Sequence, residues 1–182
     1  MTVQHDLDFV VQKNTIGRDP LSYKVTATSE QLKTLAERFD LVSVSFLDAA
    51  VTVKAVGDKD RILVTGTVKT ALVQRCIVSL QDVPEQLDVP FTLLLVDPET
   101  ADQMDADETY LDDDAPDYDS FDGDRVEVGE IVAQTVAVSM NPYPRADAAV
   151  PDLGKNPNIS FGEPDVERKN PFDVLSKLKD ES

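Results

Sequence analysis

Few residues in this chain could do covalent or metal chemistry. Among 182 residues there is one cysteine, Cys76, and one histidine, His5. A single cysteine rules out an intramolecular disulfide and any multi-cysteine zinc site, and a His/Cys metal cluster cannot be assembled within one chain. Cys76 is a candidate reactive thiol with Arg75 beside it. Strand alternation would put those two side chains on opposite faces, so the plainer reading is a small buried apolar residue. Carboxylates are abundant, 35 against 17 basic side chains, for a net charge of -18. Paired carboxylates can do acid–base or two-metal nuclease chemistry, but only when rigid elements fix them. A calcium-binding loop starting at Asp117 fails as well. Its fifth and sixth positions are Phe121 and Asp122, where that loop needs a short polar ligand and a glycine. The chain is therefore expected to be non-enzymatic, with no catalytic residue, metal or cofactor.

Two groups of residues could instead make non-covalent contacts to RNA. Tyr143 and Arg145, in the run NPYPR, could stack a base and pair a phosphate. The plainer alternative packs Tyr143 against the end of a preceding helix that the prolines terminate. Arg61, Lys69 and Arg75, with Lys54 and Lys59 nearby, gather around one predicted hairpin. If Arg61, Lys69 and Arg75 share a face, they form a phosphate-contacting strip; otherwise they solvate a sheet face.

The charge bears on both ideas because it is unevenly spread. Residues 97–124 hold 13 acidic side chains and no lysine or arginine, while residues 1–96 net only -2. The acidic stretch has few apolar residues and carries Pro98, Pro116 and Gly123 as breakers. Repulsion among its carboxylates predicts a disordered or weakly ordered loop. The acidity thus does not veto contact between RNA and a nearly neutral core.

The elements that must position these residues follow from periodicity. Residues 6–13 and 21–27 are expected to be short strands. Thr28 caps a helix over 29–39, with Gln31 completing a capping box and Leu32, Leu35, Ala36 and Phe39 on one face. In 41–54 the apolar phase switches from even to odd positions, which predicts a bulge or bend near Leu47 to Ala50. A long strand follows, with Ile62, Val64, Val68, Leu72 and Cys76 on one face. A further strand over 87–96 contains Pro90, which suits an edge. Short turns favour an antiparallel meander. Residues 128–140 are expected to be helical. The proline-rich run 142–171 is expected to be an extended linker. A short terminal helix over 171–179 presents Phe172, Leu175 and Leu178, and at that length it must dock on something.

The expected architecture is α+β. An antiparallel, twisted sheet of about five strands packs with two helices, and whether it closes into a barrel stays open. Residues 1–150 form one domain interrupted by the acidic loop 97–124; residues 151–182 form a tail. The first ten residues have no basic or apolar signal region, and no apolar run approaches the roughly 18 residues of a membrane span. A soluble, cytoplasmic protein without membrane partners is expected.

From residue 30 onward the pattern resembles the YceD family of large ribosomal RNA subunit accumulation proteins, in its alphaproteobacterial branch. The matching pieces are LAERFDLVSVSFLDAAVTV (35–53), VQRCIVSLQDVPEQLDVPF (73–91), the acidic interruption, VEVGEIVAQTVAVSMNPYPRADAA (126–149) and NPFDVLSKLK (170–179). The resemblance implies a bacterial factor for accumulation or processing of 23S rRNA, and so for large-subunit assembly. Its partner would be 23S rRNA or a pre-50S particle. It implies no catalytic residue. Many relatives carry a C-x-x-C pair where this chain has only Cys76, with Gln74 and Ser79 around it, so a metal or redox role based on such a pair fails here. A second expectation differs in class. An acidic adaptor would hold a basic ribosomal protein or RNA-processing enzyme through 97–124 and dock it through Phe172, Leu175 and Leu178.

Overall fold

The computed structural model describes residues 7–57, 61–106 and 116–147. In chain order the elements are β1 (Val11–Gln12), a 3-10 turn (Lys13–Thr15), β2 (Leu21–Thr26), α1 (Ser29–Arg38), β3 (Ser43–Val56), β4 (Arg61–Arg75), β5 (Asp82–Val96), α2 (Pro98–Ala106), β6 (Asp117–Ser120), β7 (Arg125–Val126) and α3 (Val128–Ser139). The terminal helix expected over 171–179, with Phe172, Leu175 and Leu178, lies outside the described residues.

Strict alternation builds the centre. Strands β2 to β5 form the antiparallel meander that the turns predict, in the order β2-β3-β4-β5-β6. The sheet stays open. Its last pair, β5 with β6, is parallel, because the chain crosses over through α2 before returning. A separate two-stranded pair joins β1 to β7. The strand expected over 6–13 is thus only two residues long before the chain turns into 3-10.

One face of the sheet is the core. Val51, Val53, Ile62, Val64, Val68 and Leu72 are buried on it. Leu35 of α1 and Val128, Val132 and Val136 of α3 join them in one cluster. Each fully buried valine or leucine contributes on the order of 1.5–3 kcal/mol relative to exposure. The capping box on α1 forms as expected, with Thr28 N–H donating to Gln31 Oε1 at 2.8 Å and Gln31 N–H to Thr28 Oγ1 at 3.3 Å. Helix α3 has no side-chain cap. The chain's own start serves instead, with Gly129 N–H donating to the Phe9 carbonyl at 2.9 Å. A Cβ at Gly129 would collide with the Leu7 backbone, so only glycine lets this segment lie so close. Arg38 and Glu130 then tie α1 to α3 in a two-pronged pair at 2.8 and 2.6 Å.

The phase switch in β3 is real but sits earlier than expected. The register shifts between Val44 and Phe46, not near 47–50. Leu47 is consequently buried and Phe46 faces outward, 44% exposed. The slip opposes two residues to one and flips the pleat. Pro90 opposes Thr67 on β4, and β6 pairs with β5 only from Leu93 onward. Its missing N–H therefore faces the open edge, as a strand proline must.

The largest departure concerns residues 97–124. Helix α2 and strand β6 occupy 98–106 and 117–120 of the stretch expected to be a disordered or weakly ordered loop, and 107–115 lie outside the described residues. Asp97 caps α2, accepting from Thr100 N–H at 2.9 Å and from its hydroxyl at 2.6 Å. Those bonds hold the Asp97 carboxyl below the usual range, with the Thr100 hydroxyl the larger cause. Ala101 and Met104 pack on Val96, Leu94 and Tyr118. That small apolar seat, on the sheet face opposite α1 and α3, offsets the carboxylate repulsion. Among the described residues no helix is long and apolar enough to cross a membrane.

Candidate nucleic-acid interface

The sheet face away from α1 and α3 can be followed row by row from the registers. One row runs Lys54, Leu63, Leu94, Tyr118. The next runs Ser22, Thr52, Thr65, Thr92, and the one after it Lys24, Ala50, Thr67, Pro90. Then come Thr26, Asp48, Lys69, Asp88, and at the far end Arg75 opposite Asp82.

Arg61, Lys69 and Arg75 do share this face, as alternation predicts. They do not form a compact strip. At about 3.3 Å per residue, Arg61 lies roughly 26 Å from Lys69, and Lys69 roughly 20 Å from Arg75. Lys69 sits between two carboxylates, and its Nζ lies 2.7 Å from Asp88 Oδ2. Asp48 meanwhile accepts from the Thr26 hydroxyl at 2.6 Å. Arg61 lies beside the acidic α2, because its neighbour Ile62 pairs with Leu95, next to Val96 under that helix. The less opposed cations on this face are Lys24 and Lys54, flanking a row of hydroxyls. Sequence spacing passed over Lys24 because only the register of β2 reveals its neighbours.

A denser constellation lies at the turn joining β4 to β5. Residues 141–146 cross that turn as a strap, and residues 148–171 of the linker expected over 142–171 lie outside the described residues. Gln74 Nε2 donates to the Asn141 carbonyl at 3.1 Å. Asn141 N–H donates to the Glu85 carboxylate at 3.2 Å. Ile77 N–H donates to the Pro144 carbonyl at 3.0 Å, and Pro144 is buried. Asn141 Oδ1 accepts from Tyr143 N–H at 3.0 Å, tightening the bend. With Pro144 fastened inward, its neighbours Tyr143 and Arg145 are exposed. Tyr143 is 70% exposed, so it does not pack the end of α3 as the plainer alternative had it. The structure therefore brings Tyr143 and Arg145 to the turn that Arg75 enters. The strap's anchors Gln74 and Glu85 lie on the sheet face opposite Arg75, so Arg75, Arg61 and Lys69 are on the other side of the ribbon.

Cys76 opens this turn and explains why it is rigid. Its N–H donates to the Gln81 carbonyl at 2.8 Å, and its carbonyl accepts from Leu80 N–H at 3.0 Å. Its buried Sγ accepts from the N–H groups of Val78 and Ser79 at 3.4 and 3.3 Å. These donors pull the thiol down to about 6. The Ser79 hydroxyl is the largest cause, then the Ala146 N–H; burial opposes, and the Ser79 and Val78 amides add less. The single Ser79 hydroxyl proton also reaches Gln81 Oε1 at 3.3 Å, so it serves the sulfur when that is ionised. Ser79, three residues after Cys76, closes the turn by hydrogen bonds. Among the described residues, no three His, Cys, Asp or Glu side chains converge as metal ligands would.

Leu80 and Ile77 complete the turn's surface, 69% and 49% exposed. Leu80 has φ = 60°, a left-handed conformation that costs a branched residue roughly 1–2 kcal/mol. Neither residue stands out in the sequence, where both look like ordinary strand apolars.

With this geometry in hand, comparison with known proteins gives one match. The family model described as large ribosomal RNA subunit accumulation protein YceD matches residues 64–179. No curated protein and no solved structure matches the chain. The matched range takes in Cys76, the NPYPR strap and NPFDVLSKLK, and begins after the 35–53 stretch. It covers more than half of the chain, which therefore belongs to the YceD family.

Proposed function

We propose that this YceD-family chain supports 23S rRNA accumulation by binding the RNA or its precursor particle, without catalysing a reaction. The carrying observation is the strap over the β4–β5 turn. It buries Pro144 while exposing Tyr143 and Arg145 at the turn that Arg75 enters. An exposed aromatic ring two residues from an exposed guanidinium suits a single-stranded base stacked on the ring with a phosphate paired alongside. Exposed Ile77 and the left-handed, exposed Leu80 offer further apolar contact to an unstacked base. Lys24 and Lys54, flanking the hydroxyl row on the sheet face that also carries Arg75, give weaker sites.

A non-enzymatic role is supported by how the ordered carboxylates are used. Asp97 caps a helix, and Asp105 accepts from the Tyr118 hydroxyl at 2.5 Å. That bond, with burial, pushes the Tyr118 phenol upward. Neither carboxylate is placed as the acid or base of a reacting pair.

The test is binding of 23S rRNA fragments, followed by fluorescence anisotropy over a range of salt. Stacking is worth roughly 1–3 kcal/mol per base, so Tyr143→Ala should weaken binding about fivefold to a hundredfold. Arg75→Ala and Arg145→Ala should each flatten the log–log salt dependence by about 0.7. Unchanged affinity in the triple variant would sink the interface. Shortened rRNA after incubation of the purified protein with Mg²⁺ or Mn²⁺ would sink the non-enzymatic reading.

A further inference from the structure

A second surface lies where β6 stops covering β5. A groove of about 720 Å³ runs between this open edge and helix α3. Its floor is apolar, made by Phe91 and Leu93 of β5 and by Ile131 and Val138 of α3. Val138 is 84% exposed, the most exposed large apolar residue among those described. The rim is acidic. Asp117 lines the groove's mouth. Asp119 and Asp122 line an adjoining depression that shares Ile131 and Gln134 with it. The nearby cation Arg125 already faces Asp124, at 3.8 Å.

From this we infer that the groove between α3 and the β5 edge binds a basic peptide segment of another protein, one that alternates or interleaves apolar and cationic side chains. The charge argues for that occupant. A second copy of this chain carries -18 and would bring carboxylates against the carboxylate rim. RNA would meet the same repulsion, so this surface is not an extension of the strap. Backbone pairing contributes little, because Pro90 has no N–H to offer on the open side. Side chains must therefore do the holding, with apolar groups on Val138 and Ile131 and cations at Asp117, Asp119 and Asp122. The inference does not depend on the RNA-binding role of the strap.

The experiment uses the full chain and a fluorescein-labelled decapeptide of alternating lysine and valine, with alternating lysine and serine as the charge-matched control. The lysine–valine peptide should bind saturably and at least about tenfold tighter than the control. Val138→Asp should weaken it by about tenfold, even though the new carboxylate would strengthen any purely electrostatic contact. Because Val138 is exposed, this variant should melt like the parent. A triple Asp117→Asn, Asp119→Asn, Asp122→Asn variant should weaken binding about threefold to tenfold and flatten its salt dependence. Equal binding of the two peptides, undiminished binding by Val138→Asp, or no binding at all would overturn the inference. Tyr143→Ala should leave peptide affinity unchanged, and the Asp117, Asp119 and Asp122 triple variant should not weaken 23S fragment binding. Failure of one surface is then separable from failure of the other.

Discussion

The β4–β5 ribbon is about 46 Å long at 3.3 Å per residue, and its two ends are held in opposite ways. At the turn, a buried cysteine and a strap of polar backbone bonds fix a small surface that leaves arginines and a tyrosine outside. At the other end, α2 and β6 are held by a three-residue apolar seat, Val96, Ala101 and Met104, under a cover of carboxylates. The turn end is dense in directional bonds and mixed in charge. The α2 end is thinly packed and acidic. The difference teaches where each end can give. Hydrogen-bonded backbone fixes side-chain direction, which recognition needs. A minimal apolar seat fixes only that a helix is present.

The largest expected effect breaks the weaker end alone. Met104→Asp places a carboxylate in the α2 seat, where Met104 is 8% exposed. Burying an unpaired charge, or emptying such a site, typically costs about 2–5 kcal/mol. Because the seat lies apart from the main core, the loss should be local. Amide exchange should accelerate over 98–106 and 117–120, while Cys76, Ile77 and Leu80 keep their protection. Equal loss of protection at the turn would show that the two ends are one cooperative unit.

That end was also the least legible from sequence. Acidic composition predicted an open loop over 97–124, and by net charge alone the inference was sound. It missed that Asp97 and Thr100 form a cap and that Ala101 and Met104 recur at helical spacing, because only three apolar groups are involved. Their partners, Leu94 and Val96, become available only once β5 is known to expose them on the far face. The meander, α1 and α3 were legible because many residues repeat the same period. The bulge was legible in kind but not in place, since the phase change shows on which side of it the pattern resumes, not where the slip occurs. Among the site residues, Tyr143 and Arg145 were visible as types in a proline-rich run. Their placement at the turn depends on bonds to Gln74, Ile77 and Glu85, which no local pattern encodes. The Arg61–Lys69–Arg75 strip shared its face as expected but not its vicinity, because strand rise separates residues that alternation groups.

The next effect sharpens the comparison at the turn. Leu80→Gly removes the left-handed penalty and should raise stability by about 1 kcal/mol, read from chemical denaturation. If the exposed leucine serves recognition, the same variant should weaken 23S fragment binding. A stabilised variant with unchanged binding would make Leu80 a tolerated irregularity rather than part of the interface.

Cys76 should show as a slope instead of a jump. Its folded pKa, about 6, lies below the 9.0 of an ordinary thiol. Between those values the unfolded chain binds more protons at this site than the folded one. Its contribution therefore grows as pH rises from about 6 to 9, is fully present above 9, and is lost as pH falls through 6. Cys76→Ala should flatten that part of the stability–pH curve. An unchanged slope would mean that the Ser79 and Ala146 donors do not stabilise a thiolate.

The smallest effect tests whether the middle of the ribbon matters at all. Lys69 Nζ and Asp88 Oδ2 are 2.7 Å apart, but both side chains are 61% exposed. Solvent screening limits such a pair to about 0–1 kcal/mol. Lys69→Ala should therefore move stability by less than about 1 kcal/mol. It should also change 23S fragment affinity less than Arg75→Ala or Arg145→Ala does, because Asp48 and Asp88 already oppose its charge. Should Lys69→Ala weaken RNA binding as strongly as either arginine change, the contact surface would have to run along the sheet face and not sit at the turn. The contrast between the two ends would then give way to a continuous interface, with Lys24 and Lys54 the next residues to change.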